Sequence, residues 1–265
     1  MIPAPVRYAR ATDIDDALAL LAEPDAKALA GGQSLLPIMK LRIARPSLVV
    51  DISRLELRGV DVRGNELHIG PLTTWDDLLR AEELRRPALS AMAECADGIG
   101  DLQVRNRGTV GGSLAHADPA SDMPAVLLAL EAAVSLRSPN GDRVVRLADF
   151  FVGPFMTALR AQELITDVVV PLSELGSGSA YVSVEHPASG FALAGAAASV
   201  GPDGERVAVT GIAGRPFLVS DHGDPVGDTE VFGDRFAPAD YRRGLAIVLV
   251  ERALERAKER AVEDR

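Results

Sequence analysis

The sequence predicts an α+β fold ending in antiparallel strands closed by a long helix. Three observations carry this. The first 171 residues interleave strand-length apolar runs with helical spacing and show no internal repeat. Ala133–Arg137 and Arg143–Leu147 flank Ser138-Pro139-Asn140-Gly141-Asp142, a hairpin signal that calls for an antiparallel pair. Three further strand-like runs then precede an amphipathic stretch from Tyr241 to about Glu263, with Leu245, Val248, Leu249 and Ala253 on one face.

Taken in order, Asp13–Ala22 is a helix with Ile14, Ala17, Leu18 and Leu21 on one face, capped by Thr12 or Asp13 and stopped by Pro24. Ala26–Ala30 reads as a short strand running into Gly31-Gly32-Gln33-Ser34. A helix from Leu35 to Leu41 follows, with Ser34 as its cap; Pro37 fits because the first turn needs no N–H from it. Leu48–Ile52 and Glu66–Pro71 are strands, and Trp75–Arg80 is a helix capped by Thr74. Helices are expected at Pro87 to about Ala96 and at Pro124–Ala132, and a strand at Glu163–Pro171. Ser and Gly dominate around Leu172–Ser179, the best domain boundary. Beyond it, Ala180–Glu185, Phe191–Val200 and Arg206–Ile212 read as antiparallel strands, with a turn at Gly201-Pro202-Asp203-Gly204. Phe217–Arg235 is weakly patterned, and Asp240 is the expected cap of the last helix.

At 265 residues the chain can bury a large core in one domain or two. A formal net charge of −10 and the lack of any basic stretch argue against a nucleic-acid partner. The single cysteine, Cys95, lies among Ala and Met and reads as buried; alone it supports neither a disulfide nor a Cys-ligated cluster. No two of the four histidines have metal-ligand spacing, so no metal is expected. The start of the chain lacks a signal-peptide core, and no apolar run approaches the ~18 residues of a membrane span, so the expected compartment is the cytoplasm.

The chain is organised around Arg105–Asp122, which reads as a loop: glycine and small hydroxyl residues between two apolar helical patterns. Glycine lets peptide N–H groups approach a ligand closely, and successive N–H groups form an anion-binding concavity. Thr109 and Ser113 could donate hydroxyls, and Asp118 or Asp122 could accept from a sugar. Gly31–Ser34 repeats this chemistry at a strand–turn–helix junction, where free N–H groups and a positive dipole end meet phosphate. Two such turns suggest one extended nucleotide-type cofactor; taken singly, each reads equally as a surface turn entering a helix. Neither fits the dinucleotide fingerprint or a P-loop.

Ala30-Gly31-Gly32-Gln33-Ser34-Leu35-Leu36-Pro37, Ile69-Gly70, Gln103–Ser113 and Asp118–Pro124, in this order, resemble the FAD-binding medium subunits of molybdenum hydroxylases, of the carbon monoxide dehydrogenase and xanthine dehydrogenase type. The resemblance covers residues 1 to about 171, and Asp240-Tyr241-Arg242 and its surroundings resemble the family's C-terminal domain. It implies a PCMH-type (vanillyl-alcohol-oxidase-like) FAD-binding domain over 1–173, with subdomains of about 1–54 and 55–173. A C-terminal domain over 178–265 follows, trimmed at 215–235. It also implies non-covalent FAD, with Ala30, Gly31, Gly32, Gln33 and Ser34, and Thr109, Val110, Gly111, Gly112 and Ser113, around the pyrophosphate. Asp122 would meet its hydroxyl-bearing portion and Leu164 would pack near the flavin. Gln33 stands where many relatives have histidine and cannot form a histidyl–flavin link.

By the same resemblance, substrate is oxidised at molybdopterin in a large subunit and electrons pass through a small [2Fe–2S] subunit to FAD, in a dimer of heterotrimers. No residue of this chain is then catalytic. Relatives usually carry Lys or Arg where this chain reads Tyr181–Pro187, which has neither. A missing cation disfavours reduced anionic flavin. His186 there reads as a surface-loop residue, His116 as loop packing, and Trp75 as helix packing. Two alternatives remain beside this reading: a self-standing flavin oxidase or reductase, and a flavin-poor scaffold subunit.

Overall fold

The computed structural model describes residues 2–172, 178–202 and 204–263. Most of the Ser/Gly-rich boundary, 173–177, and Asp203 of the expected turn lie outside the described residues. The N-terminal unit comprises β1 (Arg7–Arg10), α1 (Ile14–Leu20), β2 (Lys27–Leu29), α2 (Leu35–Lys40) and β3 (Leu48–Asp51). Its strands are parallel in the order β1-β3-β2. Central β3 is buried along its whole length, as expected of a parallel strand apolar on both faces. Asp13, not Thr12, caps α1 by accepting the Asp16 N–H at 2.8 Å. β1 carries Arg7, Tyr8 and Arg10 on an exposed edge and has no apolar alternation to announce it. Only pairing with β3 makes it a strand.

The second unit contains β4 (Val60–Arg63), β5 (Glu66–Ile69), α3 (Trp75–Arg80), α4 (Ser90–Gly98), α5 (Leu102–Arg105), α6 (Val110–His116) and α7 (Met123–Ala129). Then come β6 (Ala133–Ser138), β7 (Gly141–Arg146), α8 (Leu147–Phe150), β8 (Phe151–Gly153), β9 (Met156–Thr157) and β10 (Leu164–Pro171). A wholly antiparallel sheet runs β4-β5-β10-β6-β7 and includes the expected hairpin. Leu67, Ile69, Val134, Leu136, Val168 and Val170 point into a core shared with α3, α4, α6 and α7. Thr74 and Asp77 form a reciprocal capping box on α3. The expected helix from Pro87 is a 3₁₀ turn, Pro87–Leu89, followed by α4, and that from Pro124 is α7, one residue earlier and three shorter in its end.

The third unit is a sheet in the order β11 (Gly178–Glu185), β12 (Ala192–Gly201), β13 (Gly204–Thr210), β14 (Phe217–Leu218), closed by α9 (Ala239–Glu263). It is covered on both faces. Tyr181, Ala197 and Ala208 join the core of the second unit, while Ala194, Ala196 and Ala198 face Leu249, Val250, Ala253 and Ala257 of α9. Two helical layers this close explain a strand in which five of ten residues are alanine. At Gly178 a Cβ would overlap the Ala257 carbonyl. α9 starts at Ala239, which puts Asp240 in its first turn and not at its cap. Buried Arg242 pins that start to the sheet by donating to the carbonyls of Leu193 and Gly211, each at 2.7 Å. Among the described residues no helix is long and apolar enough to cross a membrane.

Candidate functional site

The two glycine turns lie against each other. A Cβ on Gly31 would fall on the carbonyl oxygen of Arg107, and one on Gly112 would sit 3.7 Å from the Ala30 Cβ. Glycine at 31 is therefore required by the contact between turns. Gly111 is buried because α6 passes over Pro71: its N–H donates to the Pro71 carbonyl at 2.9 Å and a Cβ would overlap the proline. Val110 N–H to Thr73 O at 3.0 Å and Trp75 N–H to Gly108 O at 3.2 Å complete the anchorage. The stretch read as a loop is thus partly helix, with Thr109 capping α6 through the Gly112 N–H at 3.2 Å. Local composition hid this, because glycine is a poor helix former and the helix is held by tertiary contacts.

On the first turn, no hydrogen bond among the described residues uses the N–H groups of Gly31, Gly32, Gln33 or Ser34. Gly32 has φ +78°, the left-handed conformation that lets successive N–H groups point into one concavity. Ser34 precedes α2 but its hydroxyl caps nothing, leaving it free to donate. α2 and α6 are short, six and seven residues, so the N–H groups themselves matter more than any helix dipole. These features fit an anionic pyrophosphate.

Ser113 and Ser121 share a hydrogen bond at 2.9 Å, joining α6 to the Asp118–Asp122 turn. Asp122 accepts a hydrogen bond from the Tyr181 hydroxyl. Burial pushes the Asp122 carboxyl up to about 6; the Tyr181 bond opposes this, and the charges of Glu185 and Asp118 add to it. Native Asp122 thus holds a proton to higher pH than an unfolded one, and stability falls as pH rises from about 4 to 6. Asp122→Asn removes that charge. It is expected to stabilise the cofactor-free chain at pH 7 by on the order of 1 kcal/mol and to flatten its pH dependence over that window. Urea unfolding at pH 5 and 7.5 checks this; an unchanged pH slope would refute it.

Leu164 opens β10 and is buried in the N-terminal core with Val50, Leu55 and Leu72. Val110 is fully buried and its N–H is taken by the Thr73 carbonyl, so the structure gives it a packing place and no free donor. His116 is half-buried against the Phe155 ring, and desolvation lowers its pKa. Trp75 is buried in α3 beside Gly108, where a Cβ would press on the indole nitrogen. His186 sits in the β11–β12 turn against Phe236. Cys95 is buried, and the desolvated thiol is held protonated. Among the described residues no group of three His, Cys, Asp or Glu could hold a metal ion.

Residues 4–173 match the family described as the FAD binding domain in molybdopterin dehydrogenase. The chain belongs to the FAD-binding medium subunits of the molybdenum hydroxylase family. It is 37% identical to the carbon monoxide dehydrogenase medium chain of Hydrogenophaga pseudoflava, over 97% of this chain and 98% of that one. It is 40% identical to the glyceraldehyde dehydrogenase medium chain of Sulfolobus acidocaldarius, over 82% and 79%. Among solved structures, the Hydrogenophaga pseudoflava carbon monoxide dehydrogenase that lacks the Mo-pyranopterin moiety is similar at TM-score 0.92 and 36% identity, over 98% of this chain and 99% of that one. Membership of this family accounts for the α+β architecture and for FAD as cofactor. Sequence reasoning missed Tyr181 and Thr210 as parts of the site's surroundings. No local signal marks them: their partners are distant in sequence, 59 residues for Tyr181 and Asp122 and 89 for Thr210 and Ser121.

Proposed function

We propose that this chain takes electrons from the [2Fe–2S] clusters of a small partner subunit and passes them through non-covalent FAD to an external acceptor. Substrate is oxidised at molybdopterin in a large subunit, in a cytoplasmic dimer of heterotrimers. Family membership supports the reading, and one observation carries it: four consecutive unengaged N–H groups, Gly31–Ser34, seated against the second glycine turn. Ala30–Ser34 and Thr109–Ser113 hold the pyrophosphate, Asp122 accepts from a cofactor hydroxyl, and Leu164 closes the apolar core beside the flavin. FAD, when bound, supplies reversible one- and two-electron chemistry that no side chain here can supply. The protein's part is to bind it, orient it and exclude water. We divide the chain into units of 1–54, 55–173 and 178–265. The lone buried Cys95 leaves cluster ligation to a partner chain.

The test is the visible spectrum of the purified chain before and after acid precipitation, with mass analysis of the supernatant. Flavin bands near ~375 and ~450 nm and released FAD are expected. Copurification with a cluster subunit and a molybdenum subunit would set the chain apart from a self-standing oxidase. A folded chain that stays colourless with added FAD would overturn the reading and leave a scaffold role.

A further inference from the structure

We propose that Tyr181 is a positioning residue for the cofactor: its hydroxyl holds one oxygen of Asp122 and leaves the other to accept from FAD, which makes the C-terminal sheet a working part of the site. The inference rests on the FAD reading above and goes beyond it in assigning a role to the third unit.

Tyr181 is buried in β11 and is itself fixed from behind. Its N–H donates to Glu94 Oε2 at 2.8 Å, and Arg260 of α9 grips the same carboxylate at 2.6 Å. β12 makes room for the phenol: a Cβ on Gly195 would collide with the Tyr181 hydroxyl oxygen. Among the described residues no other side chain donates to Asp122. The sheet holds the rest of the turn as well. Thr210 Oγ1 donates toward the carbonyls of Ser121 at 2.8 Å and Pro119 at 3.1 Å, and Gly211 N–H donates to Pro119 O at 3.1 Å. A turn with this many ties to another unit is not left to find its own conformation.

The electrostatics agree. The titratable groups that act on Asp122 are Tyr181 and Glu185 of β11, Asp118 of its own turn and Cys95 of α4. Burial pushes the Tyr181 phenol and the Cys95 thiol well above their ordinary values, so both stay neutral, and the phenol can only donate to an ionised Asp122. Its bond favours the carboxylate against burial and the two acidic neighbours.

The experiment is FAD titration of the full-length, flavin-stripped chain, followed by fluorescence quenching between pH 5 and 8. The variants are Tyr181→Phe, Asp122→Asn and the double variant. Tyr181→Phe is expected to weaken FAD binding about tenfold at pH 7 and to move the midpoint of its pH dependence upward. Asp122→Asn should bind weakly with no such midpoint, and adding Tyr181→Phe to it should cost little more. Gly195→Ala, which keeps both polar groups but crowds the phenol, should resemble Tyr181→Phe. A purely structural tyrosine would instead lower stability, leave the pH midpoint in place and add its full cost to Asp122→Asn; that result would overturn the proposal. If Asp122→Asn binds FAD like wild type, the Asp122 assignment falls and the role of Tyr181 with it. If the wild-type chain binds no FAD, the cofactor reading itself falls, and the proposal with it.

Discussion

Gly31→Ala is expected to weaken FAD binding by at least about a hundredfold while leaving a folded chain. The added methyl would land on the Arg107 carbonyl, and both groups are backbone, so no side-chain rotation relieves the overlap. The two turns must move apart. Overpacking of this kind costs about 1–3 kcal/mol, which a chain of this size can survive. The ligand cannot be served as well, because the N–H donors on Gly31–Ser34 lose their register with the Thr109 and Ser113 hydroxyls of the second turn. Losing two hydrogen bonds to a charged group, at about 1.5 kcal/mol each, is about a hundredfold in affinity. Fluorescence titration with FAD, beside urea unfolding, separates the two effects. Gly244→Ala is the control, since a Cβ there meets nothing within 4 Å. Wild-type affinity in Gly31→Ala would mean that the turns do not act on one ligand.

The second large effect is on stability. Arg242→Met keeps most of the aliphatic volume and removes every donor. The guanidinium is buried and serves the Leu193 and Gly211 carbonyls at 2.7 Å and the Asp234 carboxylate at 2.8 Å. The variant leaves two inward carbonyls unsatisfied and frees the start of α9, at an expected cost of about 3–4 kcal/mol. Gly211 and Thr210 also hold the Pro119–Asp122 turn, so FAD affinity should fall along with the unfolding midpoint. Denaturation with and without FAD checks this. An unfolding midpoint equal to that of wild type would show that water replaces the guanidinium at no cost.

How far the sequence could be read depended on the range of the interaction. Asp13, Thr74 and the β6–β7 hairpin were legible because their partners lie within a few residues. β1 was not, because its exposed Arg7-Tyr8-Ala9-Arg10 becomes a strand only through β3, some forty residues on. The helix α6 was hidden in a glycine-rich tract, since its stability comes from Pro71, Thr73 and Gly108 rather than from helix propensity. Ser34 was legible as a helix-start residue, yet its hydroxyl makes no capping bond.

The sequence by itself determined the family, the cofactor and the small-residue character of the two turns. All three depend on contiguous motifs whose chemistry is written in adjacent residues. The tertiary structure decided why those residues must be what they are. Gly31 answers to the Arg107 backbone, Gly111 to Pro71, and Gly195 to the hydroxyl of Tyr181. It also decided that Asp122 is held from a different unit of the chain, 59 residues away. Such pairings follow from close packing and the burial of charge, and these act between surfaces that meet only once the chain has folded.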